Sequence, residues 1–337
     1  MGNQAYIFDM DGVLVEKCSY HVLAWPHIKE RRINMVVKRI FSPLLIVSLC
    51  LATVMCAAES PCKGVELKSL ALEKPRKMKA FVARIDLTTP GIGFTATERD
   101  PQWGEPMPDY TNRTVLISTK RERTADFLVR RRAEGLPVAI AVNSAPWGPW
   151  DCSAAYRSKY GSFRWWNVSG GVELSHGRNP GRGSFFLVYK DGRVDIASSV
   201  PPSRTNEVAF AFCGFGILMK NGAPVTSYIR RSAARTNPRT AFGLTADRRT
   251  LVLLVVDGRQ PGWSLGADSG DLCDILRAEG VTDAVDMDGG GSSTLVVFDE
   301  TTGKPRTLNR PSDKAGRRNA LNVGIFFKNG KGSTDAR

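Results

Sequence analysis

Thr250-Leu-Val-Leu-Leu-Val-Val-Asp257-Gly258-Arg259 and Val281-Thr-Asp-Ala-Val-Asp286-Met287-Asp288-Gly289-Gly290-Gly291-Ser292-Ser293-Thr294 decide the fold. In each, a run rich in β-branched and leucine residues ends in an aspartate followed by glycine, the pattern of a strand that hands its chain to a tight turn. Ahead of the first, Arg239-Thr-Ala-Phe-Gly-Leu-Thr245 reads as a neighbouring strand, joined to it by a turn at Asp247-Arg248-Arg249. Between the two, Asp268 or Ser269 predicts the cap of a helix that runs to Glu279 and closes at Gly280. The block therefore predicts a sheet with a helix packed on it and two strand ends that each present a carboxylate.

Outward from this block the same signals recur. Residues 78–87, 92–97, 184–189, 193–197, 209–213 and 216–220 have strand character, and Asn221-Gly222 predicts a hairpin into residues 223–226. The apolar strand 137–142 delivers Asn143 at its end. Ser118 predicts the cap of a helix over residues 120–134, stopped by Gly135-Leu136-Pro137. Arg130-Arg131-Arg132 then reads as a solvated last turn favoured by the helix dipole, and secondarily as an anion patch. Residues 100–112 form a Pro-rich loop. Residues 151–182, with Tyr156, Tyr160, Trp165 and Trp166, lack periodicity and predict a long functional loop or lid whose aromatics are either sugar platforms or a small core. Neither an internal repeat nor a low-complexity tract is present. The fold class expected is α+β, with mixed, largely antiparallel sheets and a few packed helices, in a single exported domain spanning residues 65–328 and a flexible tail over residues 329–337.

Export is read from residues 35–58. Met35-Val-Val-Lys-Arg39 precedes an apolar run over residues 40–55 and then Cys56-Ala57-Ala58, the layout of a signal peptide. An uncleaved membrane anchor over residues 40–55 is the alternative, although a span needs roughly 20 residues. Ahead of it, Ala5-Tyr-Ile-Phe-Asp9-Met-Asp11-Gly12 resembles the opening of a haloacid-dehalogenase-type phosphatase. Residues 1–34 break off before the rest of that unit and read as a truncated, non-functional leader. The mature protein is expected in the periplasm or outside the cell.

The 337 residues carry 47 Lys+Arg against 33 Asp+Glu, a formal charge of +14. The first 58 hold six Lys+Arg and four Asp+Glu, leaving +12 on residues 59–337. Such a balance favours an anionic partner. Nucleic acid is not expected, because the basic residues are scattered and no recognised fold signature accompanies them. Only His21, His27 and His176 are present, so a His-rich metal site is excluded and carboxylates must do any acid–base work. Beyond the leader stand Cys62, Cys152, Cys213 and Cys273, which permit either two disulfides or free buried thiols.

At the two strand ends, glycine lets the backbone turn tightly and approach a ligand. The N–H groups of Gly289, Gly290 and Gly291 with the Ser292 and Ser293 hydroxyls predict an anion-binding nest. Arg239 and Arg259 are placed to fork onto phosphate oxygens. The alternative is a tight turn whose aspartate merely caps it.

Asn237-Pro238-Arg239-Thr240-Ala-Phe-Gly243, Leu253-Leu-Val-Val-Asp257-Gly258-Arg259 and Asp286-Met287-Asp288-Gly-Gly-Gly-Ser-Ser-Thr294, in this order, resemble the phosphodiester glycosidase domain family, whose relatives include bacterial exopolysaccharide-associated proteins. Ala139-Ile-Ala-Val-Asn143, residues 215–224 and Arg318-Asn-Ala-Leu-Asn-Val-Gly324 extend the match over roughly residues 65–327. Two departures stand out: Ser144-Ala145-Pro146-Trp147 replaces the usual glycines after the motif Asn, and Asp286 replaces a more usual Asn or small residue. The resemblance implies hydrolysis of a sugar-1-phosphodiester at the anomeric carbon, giving free sugar and a phosphomonoester, with a phosphorylated saccharide or glycan as partner. It implies neither cofactor nor metal. Asp257, Asp288 and Arg239 would be catalytic, the two carboxylates at the anomeric carbon or its water with their division left open. Asn143, Arg259, Gly258, Gly289, Gly290, Gly291, Ser292 and Ser293 would bind substrate. The alternative is a non-catalytic glycan-binding or exopolysaccharide-assembly factor of the same fold.

Overall fold

Strand β15 (Thr250–Val256) shows why the layers stack as they do, because every residue after half-buried Thr250 is buried. Leu251, Leu253 and Val255 enter a central core, whereas Val252, Leu254 and Val256 belong to a second core on the opposite face, as the two-residue period of a strand dictates. A strand apolar on both faces has to be covered twice. The structure, a computed structural model, describes residues 60–328 except 109, 150–157, 233–234 and 315. The leader, the signal segment, the tail, Cys152 and Tyr156 therefore lie outside the described residues.

β15 sits inside a seven-stranded sheet, in the order β1 (Val65–Leu72), β2 (Met78–Asp86), β15, β14 (Arg239–Thr245), β16 (Val281–Asp286), β12 (Gly216–Lys220) and β13 (Ala223–Pro224). One face carries helices α2 (Thr226–Ser232) and α3 (Ser269–Ala278), with Tyr228, Leu272 and Leu276 clustered with Ala241 and Leu254. The central core on the other face joins it to two five-stranded sheets. The first runs β10 (Val194–Ala197), β9 (Phe185–Tyr189), β11 (Val208–Cys213), β7 (Val168–Ser169) and β8 (Val172–Glu173). The second runs β18 (Lys304–Thr307), β17 (Leu295–Asp299), β5 (Val138–Asn143), β19 (Asn322–Phe327) and β3 (Ile92–Ala96). A short pair, β4 (Thr119–Lys120) and β6 (Tyr160–Gly161), completes the strands. Phe186 stands at the centre, edge-on to Phe242 at 5.5 Å and stacked on Phe212 at 6.3 Å. Helix α1 (Thr124–Ala133) packs Phe127 and Leu128 against Ala141 and Val296. The defined strand pairs are antiparallel, so the class is α+β with antiparallel sheets and few helices.

Local details depart from the sequence reading where distant contacts override propensity. Helix α1 starts at Thr124, four residues later than expected, and its N-cap Arg123 makes no side-chain cap. Thr119 and Lys120 are instead held extended by β6, and Glu122 bridges to Asn319. Ser118 caps nothing; its hydroxyl lies 3.3 Å from His176 Nε2. The strand expected over residues 223–226 ends at Pro224, and Thr226 opens α2 instead. The stretch 151–182 is only partly loop, since it contributes β6, β7 and β8. Trp166 is a core residue, edge-on to Phe185 at 5.7 Å. The Arg130–Arg132 run is no anion patch, because its guanidiniums pair with Glu98, Glu122, Glu134 and Glu300. By contrast Asp268 caps α3 as read, accepting from Gly270 N at 2.8 Å and Asp271 N at 3.0 Å while Asp271 accepts from Asp268 N. Cys62, Cys213 and Cys273 are free thiols, so two disulfides do not form; burial pushes Cys213 and Cys273 up to about 12.

Candidate active site

Strand register brings the expected residues to one edge. Arg239 pairs with Val256, Ala241 with Asp286, Leu295 with Val142 and Asn322 with Asn143. The start of β14 and the ends of β15 and β16 therefore lie beside the end of β5 and the start of β17. Asn143, fully buried, stitches this seam: its Nδ2 donates to Asp288 O at 2.7 Å, and its Oδ1 accepts from Thr240 Oγ1 at 2.9 Å and Thr294 N at 3.0 Å. Asp288 N donates to Ser144 O at 2.8 Å. Both backbone groups of Asp288 are thus clamped by β5 and its loop, and its side chain accepts from Gly289 N at 3.0 Å.

Asp257 is clamped by its backbone as well, N donating to Lys79 O at 2.9 Å and O accepting from Ser264 Oγ at 2.6 Å, and its carboxylate is held in addition by other elements. Oδ2 accepts from Trp263 Nε1 at 2.8 Å, Oδ1 from Asn309 Nδ2 at 3.0 Å, and Arg310 N donates to both oxygens at 3.0 Å. Burial raises its pKa, against the lowering effect of these donors. Asn309 also donates to Ser293 O at 2.9 Å and accepts from Leu295 N at 2.9 Å, so Asp257 and the glycine loop share one buried bracket. Lys79 and Arg310 lie over the Trp263 ring at 5.3 and 5.8 Å.

Arg239 is 4% exposed and oriented by carbonyls, its Nε donating to Ala267 O at 3.3 Å and Nη2 to Arg235 O at 3.2 Å. Its Nη1 stands 3.6 Å from Oδ2 of fully buried Asp286, which also accepts from the Tyr228 hydroxyl at 2.8 Å. Burial raises the Asp286 pKa, opposed by Arg239 and the Tyr228 hydrogen bond. Burial also raises the Tyr228 phenol, helped by Asp286.

The glycine loop differs from the nest expected. Gly289 N is spent on Asp288, Gly290 N donates to Pro238 O at 2.8 Å, and Ser292 N and Ser293 N close a 3-10 turn on Gly289 O and Gly290 O. None of these bonds uses the Gly291 amide, and the turn also leaves hydroxyls: Ser144, Ser292 and Ser293 are buried, and their Oγ atoms have no hydrogen-bond partner among the described residues. Gly290 has φ +62°, and a Cβ there would stand 3.2 Å from Arg259 Nη1. Arg259 is exposed and donates through Nε and Nη2 to Asn237 Oδ1 at 3.1 and 3.0 Å. Gly258 packs backbone on backbone, since a Cβ there would meet Pro238 N, Gly266 Cα and Asn237 C within 2.6–2.9 Å.

Tyr228, Trp263 and Asn309 escaped the sequence reading. Each lies in a segment without a periodic signal, and each meets its aspartate only after the chain has folded. Among the described residues, no group of three or more His, Cys, Asp or Glu side chains is placed to hold a metal ion, and no helix is long and apolar enough to cross a membrane.

Residues 166–328 match a family model described as phosphodiester glycosidase. Over that span the chain resembles the phosphodiester glycosidase family. Arg239, Asp257, Asp286, Asp288 and the glycine loop fall inside the matched span, whereas Asn143 and Ser144 reach the domain's site from β5, ahead of it. The fold resembles the catalytic domain of zebrafish N-acetylglucosamine-1-phosphodiester alpha-N-acetylglucosaminidase, auto-inhibited by its pro-peptide, with a TM-score of 0.57, 17% identity, and coverage of 82% of this chain and 88% of that one. A hypothetical protein from Synechocystis gives 0.52 at 12% identity, over 79% and 62% of the two chains. A putative exported protein from Burkholderia pseudomallei gives 0.50 at 14% identity, over 76% and 75%. At these identities the likeness establishes the fold. No curated protein matches the sequence.

Proposed function

We propose that this phosphodiester glycosidase domain hydrolyses a sugar-1-phosphodiester at the anomeric carbon. Water oxygen bonds to C1, the C1–O bond to phosphate breaks, and the products are free sugar, a phosphomonoester and a proton. The observation that carries the reading is the double clamp on the Asp288 backbone beside buried Arg239 and three buried hydroxyls. A glycosyl phosphate is already a good leaving group, so the site's task is to stabilise charge at the ring and on the departing phosphate. Asp288 is the carboxylate at the reacting carbon, or the base for its water. Arg239 and the hydroxyls of Ser292 and Ser293 take the phosphate, and Arg259 stands at the mouth. Asp257 positions the loops bearing Trp263 and Arg310, and Asn143 positions Asp288. The signal-peptide pattern over residues 35–58 supports an exported enzyme acting on a phosphorylated glycan.

The test is incubation with UDP-N-acetylglucosamine in ¹⁸O-water. Free sugar carrying the label, and unlabelled nucleotide phosphate, is the expected result, abolished in Asp288→Ala. Label in phosphate would place the attack at phosphorus and overturn the reading. Binding without turnover by both proteins would favour the non-catalytic glycan-binding alternative.

A further inference from the structure

The proposed reaction turns a diester with one negative charge into a monoester that carries nearly two at neutral pH. A site built only of cations and hydroxyls would hold its product more tightly than its substrate. The structure instead puts an anion behind the phosphate-binding arginine. Asp286 is fully buried, its Oδ2 is 3.6 Å from Arg239 Nη1 and 2.8 Å from the Tyr228 hydroxyl, and its Oδ1 has no hydrogen-bond partner among the described residues. Burial by itself favours the protonated form of this carboxyl, so its charge rests on the pairing with Arg239, aided by the Tyr228 hydroxyl. The groups facing it are Arg239 from β14, Tyr228 from α2 and, more distantly, Cys273 of α3.

We propose that Asp286 is a specificity-determining residue, whose buried negative charge lets the site accept a monoanionic phosphodiester and turn away the dianionic monoester. The inference rests on the phosphodiester reading of the site. Recognition of the first charge comes from short-range, directional donors on Arg239, Ser292 and Ser293. The second charge finds the Arg239 cation already compensated and meets a like charge through protein of low dielectric, where repulsion falls off slowly. Arg259 offsets this little, because it is exposed and screened by water. The same residue hastens release of the phosphorylated product. Asp286→Asn removes the charge and nearly keeps the side chain's shape, which makes it the natural replacement.

The experiment titrates the full chain and Asp286→Asn with methyl phosphate and dimethyl phosphate at pH 8, followed by NMR at millimolar ligand. Neither probe contains a sugar, so the result does not depend on which sugar the site prefers. The native protein should bind the diester at least about tenfold more tightly than the monoester. In Asp286→Asn that ratio should shrink by about tenfold through tighter monoester binding, with diester affinity within about threefold of native. An unchanged ratio in the variant overturns the inference and leaves the phosphodiester reading standing. Should Asp286→Asn fail to fold, the native ratio decides, and equal affinity for the two esters overturns the inference. Binding of neither probe to the native protein overturns the phosphate reading of Arg239 and this inference with it.

Discussion

Asp257-Gly258 and Asp288-Gly289 look interchangeable in sequence, and the fold clamps the backbone of both aspartates, yet it surrounds their carboxylates differently. At Asp257 the scaffold holds the backbone, through Lys79 O and Ser264 Oγ, and also the carboxylate, through Trp263, Asn309 and the Arg310 backbone. At Asp288 the scaffold holds the backbone, through Asn143 Nδ2 and Ser144 O. A carboxylate that receives four hydrogen bonds from its own fold is a bracket for loops, because reacting would require it to give them up. The same Asp-Gly step thus ties loops together through the carboxylate at one strand end, whereas at the other the carboxylate accepts from the amide of the next residue.

The comparison can be broken or sharpened by substitution. Asp288→Asn should lower turnover about 10²–10⁴-fold, the range for loss of a positioned acid or base, with an unchanged melting curve; assays of released sugar beside thermal denaturation check both halves. Asp257→Asn should do the reverse. Its new NH₂ faces the donors of Trp263, Asn309 or Arg310, and urea unfolding should show a loss of about 3 kcal/mol, with the turnover of the folded fraction reduced far less than in Asp288→Asn. Equal catalytic loss in the two variants would dissolve the contrast. Trp263→Phe keeps a ring between Lys79 and Arg310 but removes one donor to Asp257, and should cost about 1.5–3 kcal/mol by the same measurement.

A pH series tests the Asp257 environment directly. Its folded pKa is raised above the ordinary 3.8, so the folded state takes up the proton first as pH falls. Protonation therefore favours folding, and this contribution is lost as pH rises from about 3.8 through the raised folded value. Native stability should show that downward slope with rising pH, and Asp257→Asn should lack it. The smallest effect belongs to Arg310→Ala, which keeps the backbone N–H to Asp257 and loses only the contact over Trp263, about 0.5–1 kcal/mol.

Much of the scaffold was legible along the chain because strand period, capping residues and turn residues are local. β15, β16 and the Asp268 capping box stand close to where their residues predict them. Helix α1 began late because the partners that keep Thr119–Lys120 extended are at Tyr160–Gly161, outside any local window. The glycine loop was legible as a tight turn next to a carboxylate, but all its amides except that of Gly291 close on Pro238, on Asp288 or on the turn itself, so most of the donors left for a ligand are hydroxyls. The buried hydroxyl of Ser144 carried no signal, because its standing beside the Asp288 backbone depends on two sheets meeting.

By itself the sequence determined the α+β antiparallel class, the two Asp-Gly strand ends and the family model that residues 166–328 match, all properties of residues near one another along the chain. Tertiary structure alone decided which aspartate has its carboxylate tied by distant elements, and that Arg239 stands beside the buried carboxyl of Asp286. The physical reason is that Asn309, Tyr228 and Asn143 come from separate elements, and a carboxylate's role is set by the donors and charges that surround it once water has been excluded.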